Sequence, residues 1–151
     1  MIKRALFLAF FTSYSALGIA HPFAQRVELP GKRWILRQLG GEPVRRTDPE
    51  AATISLMTNH AVAGTVSCNH VDGKEVTWFA GPSGRKGSFK HNKREPTLMT
   101  VMGCSDPAPG QLGGRLWEQM RLSRTWSVTT TTLTITFSDG STAIFVPMVT
   151  H

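Results

Sequence analysis

Apolar and polar residues alternate with a period of two in several short runs, each bounded by turn residues. Thr53-Ile54-Ser55-Leu56-Met57 is the plainest, and this spacing predicts a half-buried strand. Trp34-Ile35-Leu36-Arg37-Gln38-Leu39 reads as an earlier strand ended by Gly40-Gly41, and Glu42-Pro43-Val44 leads into a polar loop from Arg45 to Glu50. Asn59-His60 suits a turn. Val62 to Cys68 follows as a strand, with Gly64 a point of bulging or close approach. Asp72-Gly73 is a turn dipeptide before a short strand, Glu75 to Phe79. Trp126-Ser127-Val128 and Leu133 to Phe137 read as neighbouring strands, and Ser138-Asp139-Gly140-Ser141 turns the chain into a last one, Thr142 to Val146, stopped by Pro147.

One stretch changes period. Leu112, Leu116 and Met120 are spaced by four and Trp117 widens the stripe, which predicts a helix over Gln111 to Leu122. Gly113-Gly114 weakens its first turn, so the expected start shifts toward Arg115. Between Gly81 and Glu95 the alternation fails. Arg85, Lys86, Lys90, Lys93 and Arg94 fall there with no intervening acid, around Phe89. The stretch reads as a solvated loop, with a strand-like excursion carrying an anion-facing edge as the other reading. The expected architecture is mainly β with one helix (α+β): an antiparallel, curled sheet or partly open barrel packed on a short helix.

The first twenty residues follow a different logic. Lys3 and Arg4 precede an apolar run, Ala5 to Phe11, and Gly18-Ile19-Ala20 offers a small-residue cleavage site. Those three parts make a signal peptide, with Thr12, Ser13, Tyr14 and Ser15 interrupting what a bilayer span would need. The expected layout is a cleaved leader over 1–20, a polar entry segment over 21–33 and one domain over 34–148. The expected location is the periplasm or the cell exterior, without a lipid-bearing cysteine at the cleavage site. Removing the leader leaves 15 bases against 10 acids, a formal charge of +5. Nucleic acid is an unexpected partner for an exported chain, so the charge points to solubility or to an anionic envelope surface.

Cys68 and Cys104 are the two cysteines of the chain, 36 residues apart. In an oxidising compartment such a pair reads as one disulfide, with reactive or metal-binding thiols as the rival reading. His60, His70 and His91 complete a conceivable metal set with Cys68, but no tight ligand spacing accompanies them, and neither metal nor cofactor is expected. No Gly-x-Ser-x-Gly setting or paired carboxylates suggest catalysis. Met99 and Met102 are expected in the core, as are the four tryptophans, Trp34, Trp78, Trp117 and Trp126.

Several of these residues together resemble a known family. They are Trp34 with Gly40-Gly41, then Val62-Ala63-Gly64 leading to Cys68-Asn69 and Gly73, and then Met99-Thr100-Val101-Met102-Gly103-Cys104 before the helix and the hairpin at Asp139-Gly140. In this order they resemble the META domain, the module of the HslJ heat-shock lipoproteins. The motif residues here are Trp34, Gly64, Cys68, Asn69, Gly73, Thr100, Met102 and Cys104. The resemblance implies antiparallel strands wrapped on a helix, a fold similar to lipid-binding pilot proteins of type III secretion. It also implies links to heat shock and antibiotic tolerance, without an enzymatic activity. The lipid-bearing cysteine of those lipoproteins has no counterpart here. The leading expectation is a non-enzymatic monomer serving envelope integrity or stress tolerance through an unidentified protein or envelope component; the alternatives are a carrier or sensor of a lipid or other apolar molecule, and an adaptor docking Arg85, Lys86, Lys90, Lys93 and Arg94 on an anionic surface or partner.

Overall fold

The computed structural model describes residues 29–45, 52–103 and 107–149. The leader and Cys104 lie outside them, as do most of the entry segment and most of the polar loop after Val44. Eleven strands and one helix follow along the chain: β1 Arg33–Leu39, β2 Glu42–Pro43, β3 Ala52–Leu56, β4 Val62–Val66, β5 Asn69–Gly73, β6 Val76–Ala80, β7 Lys86–His91, β8 Thr97–Met99, α1 Pro107–Met120, β9 Ser123–Val128, β10 Leu133–Phe137 and β11 Thr142–Pro147. They form one antiparallel sheet in the order β6-β7-β9-β10-β11-β1-β3-β4-β5-β8, with β2 paired to β1. Gly40 and Gly41 make the tight turn from β1 to β2, both with positive φ (59° and 89°). A two-residue hairpin of that hand requires such angles, and glycine adopts them without strain.

The sheet curls until β6, one end of the path, reaches the turn between β3 and β4. Ala61 bridges Thr77 there, and the Trp78 N–H donates to the His60 carbonyl at 2.9 Å. Trp78 Nε1 donates to the Met57 carbonyl at 2.8 Å. The result is a half-barrel. Its inner face is filled by Trp34, Trp126, Phe137, Phe145, Leu133 and Ile135, all fully buried or nearly so. Burial of this kind is the main stabilising term, about 25 cal/mol per Å² of apolar surface. Trp34, Trp117 and Trp126 bury their indole N–H groups with no acceptor, so their contribution is packing area rather than hydrogen bonding.

Helix α1 lies on β3 and β4. Leu116 and Met120 are fully buried, and Leu112 and Trp117 pack partly buried beside them. The periodic stripe was therefore legible, but the start was not: the helix begins at Pro107, before the expected Gln111 or Arg115, and ends at Met120. Proline suits the first helical position, and packing carries the helix through Gly113-Gly114. A Cβ on Gly113 would stand 2.8 Å from Val66 Cα, so its absence lets helix and sheet approach closely.

Four further expectations are corrected. The Gly81–Glu95 stretch is no solvated loop, because β7 occupies its centre between β6 and β9. Phe89 turns inward and is buried opposite Trp78. Asp72-Gly73, read as a turn dipeptide, ends strand β5, while Ser67-Cys68 is the turn instead of the end of a strand. The entry segment, read as polar, supplies Leu29 to the core.

A fastened edge as candidate functional site

A single cross-strand row organises one end of the sheet. Trp34 pairs with Ile54, Ile54 with Gly64, Gly64 with Val71 and Val71 with Met99, running over β1, β3, β4, β5 and β8. Directly paired residues share a face. A Cβ on Gly64 would come 3.0 Å from the Trp117 ring, so the glycine is the flat spot on which the helix's tryptophan rests. Trp34 and Gly64 thus serve the core.

The remaining motif residues fasten the last strand of this row. Ser67-Cys68 links β4 to β5 with Ser67 at φ 54°. Asn69 follows and grips the chain beyond β8. Its Oδ1 accepts from the Met102 N–H at 2.7 Å and from the Thr100 hydroxyl at 3.2 Å. Its Nδ2 donates to the Met102 carbonyl at 3.3 Å. The His70 N–H donates to Thr100 Oγ1 at 2.9 Å, and the Thr100 N–H returns a bond to the His70 carbonyl at 3.0 Å. Gly73 pairs with Thr97 at the other end of β8. Cys68 Sγ lies 3.8 Å from the Met102 carbonyl oxygen, two residues before Cys104, which lies outside the described residues.

These bonds hold an apolar run in the open. Leu98 is 68% exposed, Met99 53%, Val101 94% and Met102 49%. The two methionines are therefore not core residues. Their side chains lie at the end of the sheet, where β8 has β5 as its neighbour and continues the path no further. Single exposed apolar residues are ordinary, whereas a consecutive run of them marks an interaction surface.

The five candidate anion-binding bases do not converge. Arg85 precedes β7 and Lys93 and Arg94 follow it, so the strand's six residues separate them by about 20 Å. Lys86 and Lys90 project from one exposed face of β7, and Lys90 Nζ sits 4.7 Å from the Phe79 ring centroid. His60 stacks on the same Phe79 ring, with centroids 5.1 Å apart. Lys93 and Arg94 stand apart from these in the turn leading to β8. That turn is closed by the Glu95 N–H donating to the Asn92 carbonyl and the Arg94 N–H to Asn92 Oδ1, both at 3.1 Å. Because β7 is flanked on both sides, it presents no free edge.

The histidines are likewise dispersed. His60 Nδ1 is 3.1 Å from the Trp78 carbonyl, and His91 Nε2 is 2.6 Å from the Ser123 carbonyl. No group of three metal-ligating side chains gathers among the described residues. Beside the His91 contact, Glu75 ties the start of β6 to β8 and to the end of the helix. Thr97 Oγ1 donates to its Oε2 at 2.6 Å and Arg121 Nε to its Oε1 at 2.9 Å. The Thr97 hydrogen bond is the leading cause that holds the Glu75 carboxyl below its ordinary pKa, with Arg121 adding to it. On the outer face, a cleft of about 360 Å³ opens over Thr53, Ser55, Thr65, His70 and Asp72. Its floor includes the buried Thr53 and Thr65 hydroxyls, bonded at 2.9 Å.

The family model of the META domain matches residues 27–150. The chain belongs to the META domain family. Solved structures extend the likeness in fold. An NMR structure of a protein from Burkholderia xenovorans superposes with a TM-score of 0.54 at 20% identity, covering 86% of this chain and 98% of that one. A crystal structure of a DUF4847 family protein from Bacteroides vulgatus gives 0.50 at 13% identity, covering 78% and 93%. A further NMR structure gives 0.51 at 21% identity, covering 78% and 90%. No curated protein matches. This META domain has no helix among its described residues long and apolar enough to cross a membrane. The signal that sequence reasoning missed was the run Thr97 to Met102 itself, whose apolar content resembles a core strand until its neighbours are known.

Proposed function

We propose that this META domain is an exported, non-enzymatic binding protein of the cell envelope, with Cys68 and Cys104 joined in a disulfide that completes the fastening of the β8 edge. The observation that carries the reading is the Asn69 grip, which brings Met102 against Cys68 and so brings the second cysteine's neighbourhood to the first. The signal-peptide pattern of the leader supplies the compartment in which such a bond persists. The interior supports a scaffold more than a carrier, because large side chains fill the curl where an apolar guest would sit.

The test is the intact mass of the protein recovered from its native host, before and after reduction, together with survival of a deletion strain under envelope stress. A chain beginning at His21 that gains two hydrogens on reduction, and a deletion strain sensitised to heat or membrane-active antibiotics, are expected. An uncleaved, already reduced chain would sink the proposal.

A further inference from the structure

Four of the six large hydrophobic side chains exposed among the described residues fall within the five positions Leu98 to Met102. The run does not dangle. Asn69 and His70 bond the Thr100 N–H and both the N–H and the carbonyl of Met102, and the β5 ladder holds Leu98 and Met99. Two requirements of entry into a lipid interface are met at once. Apolar side chains are presented with no ordering left to do, and the Thr100 N–H and the Met102 N–H and carbonyl already have partners, so these groups need not be stripped of water unpaired. Four residues before Leu98, Arg94 is exposed in its turn with Lys93 beside it, and bases flanking an apolar run can reach phosphate headgroups. Charge is thus matched to a negatively charged surface at the one end of β7 that adjoins the apolar residues.

We propose that the β8 edge docks this domain edge-on onto a bilayer containing anionic phospholipid, Leu98 from one face of the strand and Met99 from the other entering the interface with Val101 and Met102 while Lys93 and Arg94 hold the headgroups. This deepens the envelope-binding reading and rests on it for the compartment. The decisive experiment is co-sedimentation of the purified protein with vesicles of mixed phosphatidylcholine and phosphatidylglycerol, and with phosphatidylcholine alone, at low and high salt. Saturable, salt-sensitive binding to the mixed vesicles is expected. Val101→Ser with Met102→Ser should weaken binding at least tenfold while leaving thermal unfolding unchanged, since both side chains are exposed. Lys93→Ser with Arg94→Ser should weaken it about fivefold per base, on anionic vesicles alone. Absence of binding by the wild-type chain overturns the proposal, as does binding that the Val101 and Met102 changes leave intact. So does a dimer that those same changes dissociate, which would give the edge to a second copy. An exported protein that ignores the vesicles ends the docking surface but leaves the envelope function; vesicle binding by a chain its host never exports does the reverse.

Discussion

Asn69 performs with one side chain what a ladder performs with backbone: its amide meets both the N–H and the carbonyl of Met102 and also the Thr100 hydroxyl. Asn69→Ala is expected to cost about 1–2 kcal/mol, since all three bonds are replaced by water at a half-exposed site. Urea unfolding should read that loss, and the Met102 amide should exchange faster by more than the global change. Neighbouring glycines of the helix make a sharper pair. Gly113→Ala gains helix propensity but drives a methyl into Val66, 2.8 Å away, and should destabilise by about 1–3 kcal/mol. Gly114 has nothing within 4 Å of the same added atom, so Gly114→Ala should stabilise by about 0.5–1 kcal/mol. Opposite signs at adjacent positions, measured by thermal unfolding, would locate the helix–sheet contact without further structure.

Elements were legible where one face alone meets the core. β3, with its strict alternation, and the β10–β11 hairpin, with its Asp-Gly turn, announce themselves by composition. β5 did not, because Val71 is its sole buried side chain and one apolar residue makes no period. β7 was hidden by its bases, which coat the exposed face of a strand whose inner face needs only Gly87 and Phe89. The helix start failed for a different reason: glycine's low propensity is an average, and contact with Val66 overrides it. Glu75 joins three elements and makes their union depend on pH. Its folded-state pKa is lowered from the ordinary 4.5, so the stability it contributes is present above that value and lost as pH falls through the folded pKa. Glu75→Gln should flatten the acid limb of unfolding in that range, its loss of stability being full at neutral pH and vanishing in acid below the folded pKa. An unchanged acid limb would remove Glu75 from the account.

At the scale of the molecule, the motif by which the family resemblance was read proves to divide its labour. Trp34 and Gly64 shape the core, and the residues around Asn69 tie down the edge. The grouping could not be read from the chain, since 30 or more positions separate Asn69 and His70 from the residues they hold. A disulfide across that span would add about 3–4 kcal/mol in the chain-entropy model. Cys68→Ser should therefore lower the urea midpoint as far as reduction does, and reduction should have no further effect on that variant.

The path of the sheet has one more consequence. β1 lies between β3 and β11, so Trp34 finds its partner Pro147 more than a hundred residues later. Until β11 arrives, no strand ladder joins β6-β7-β9-β10 to β1-β3-β4-β5-β8, which touch through the Ala61–Thr77 bridge and the Trp78 hydrogen bonds. A polypeptide emerging from its amino end thus carries its closing stitch in β11, after every other described strand. Folding so dependent on distant contacts is slow, and the half-barrel closes only after β11 has joined β1 to β10.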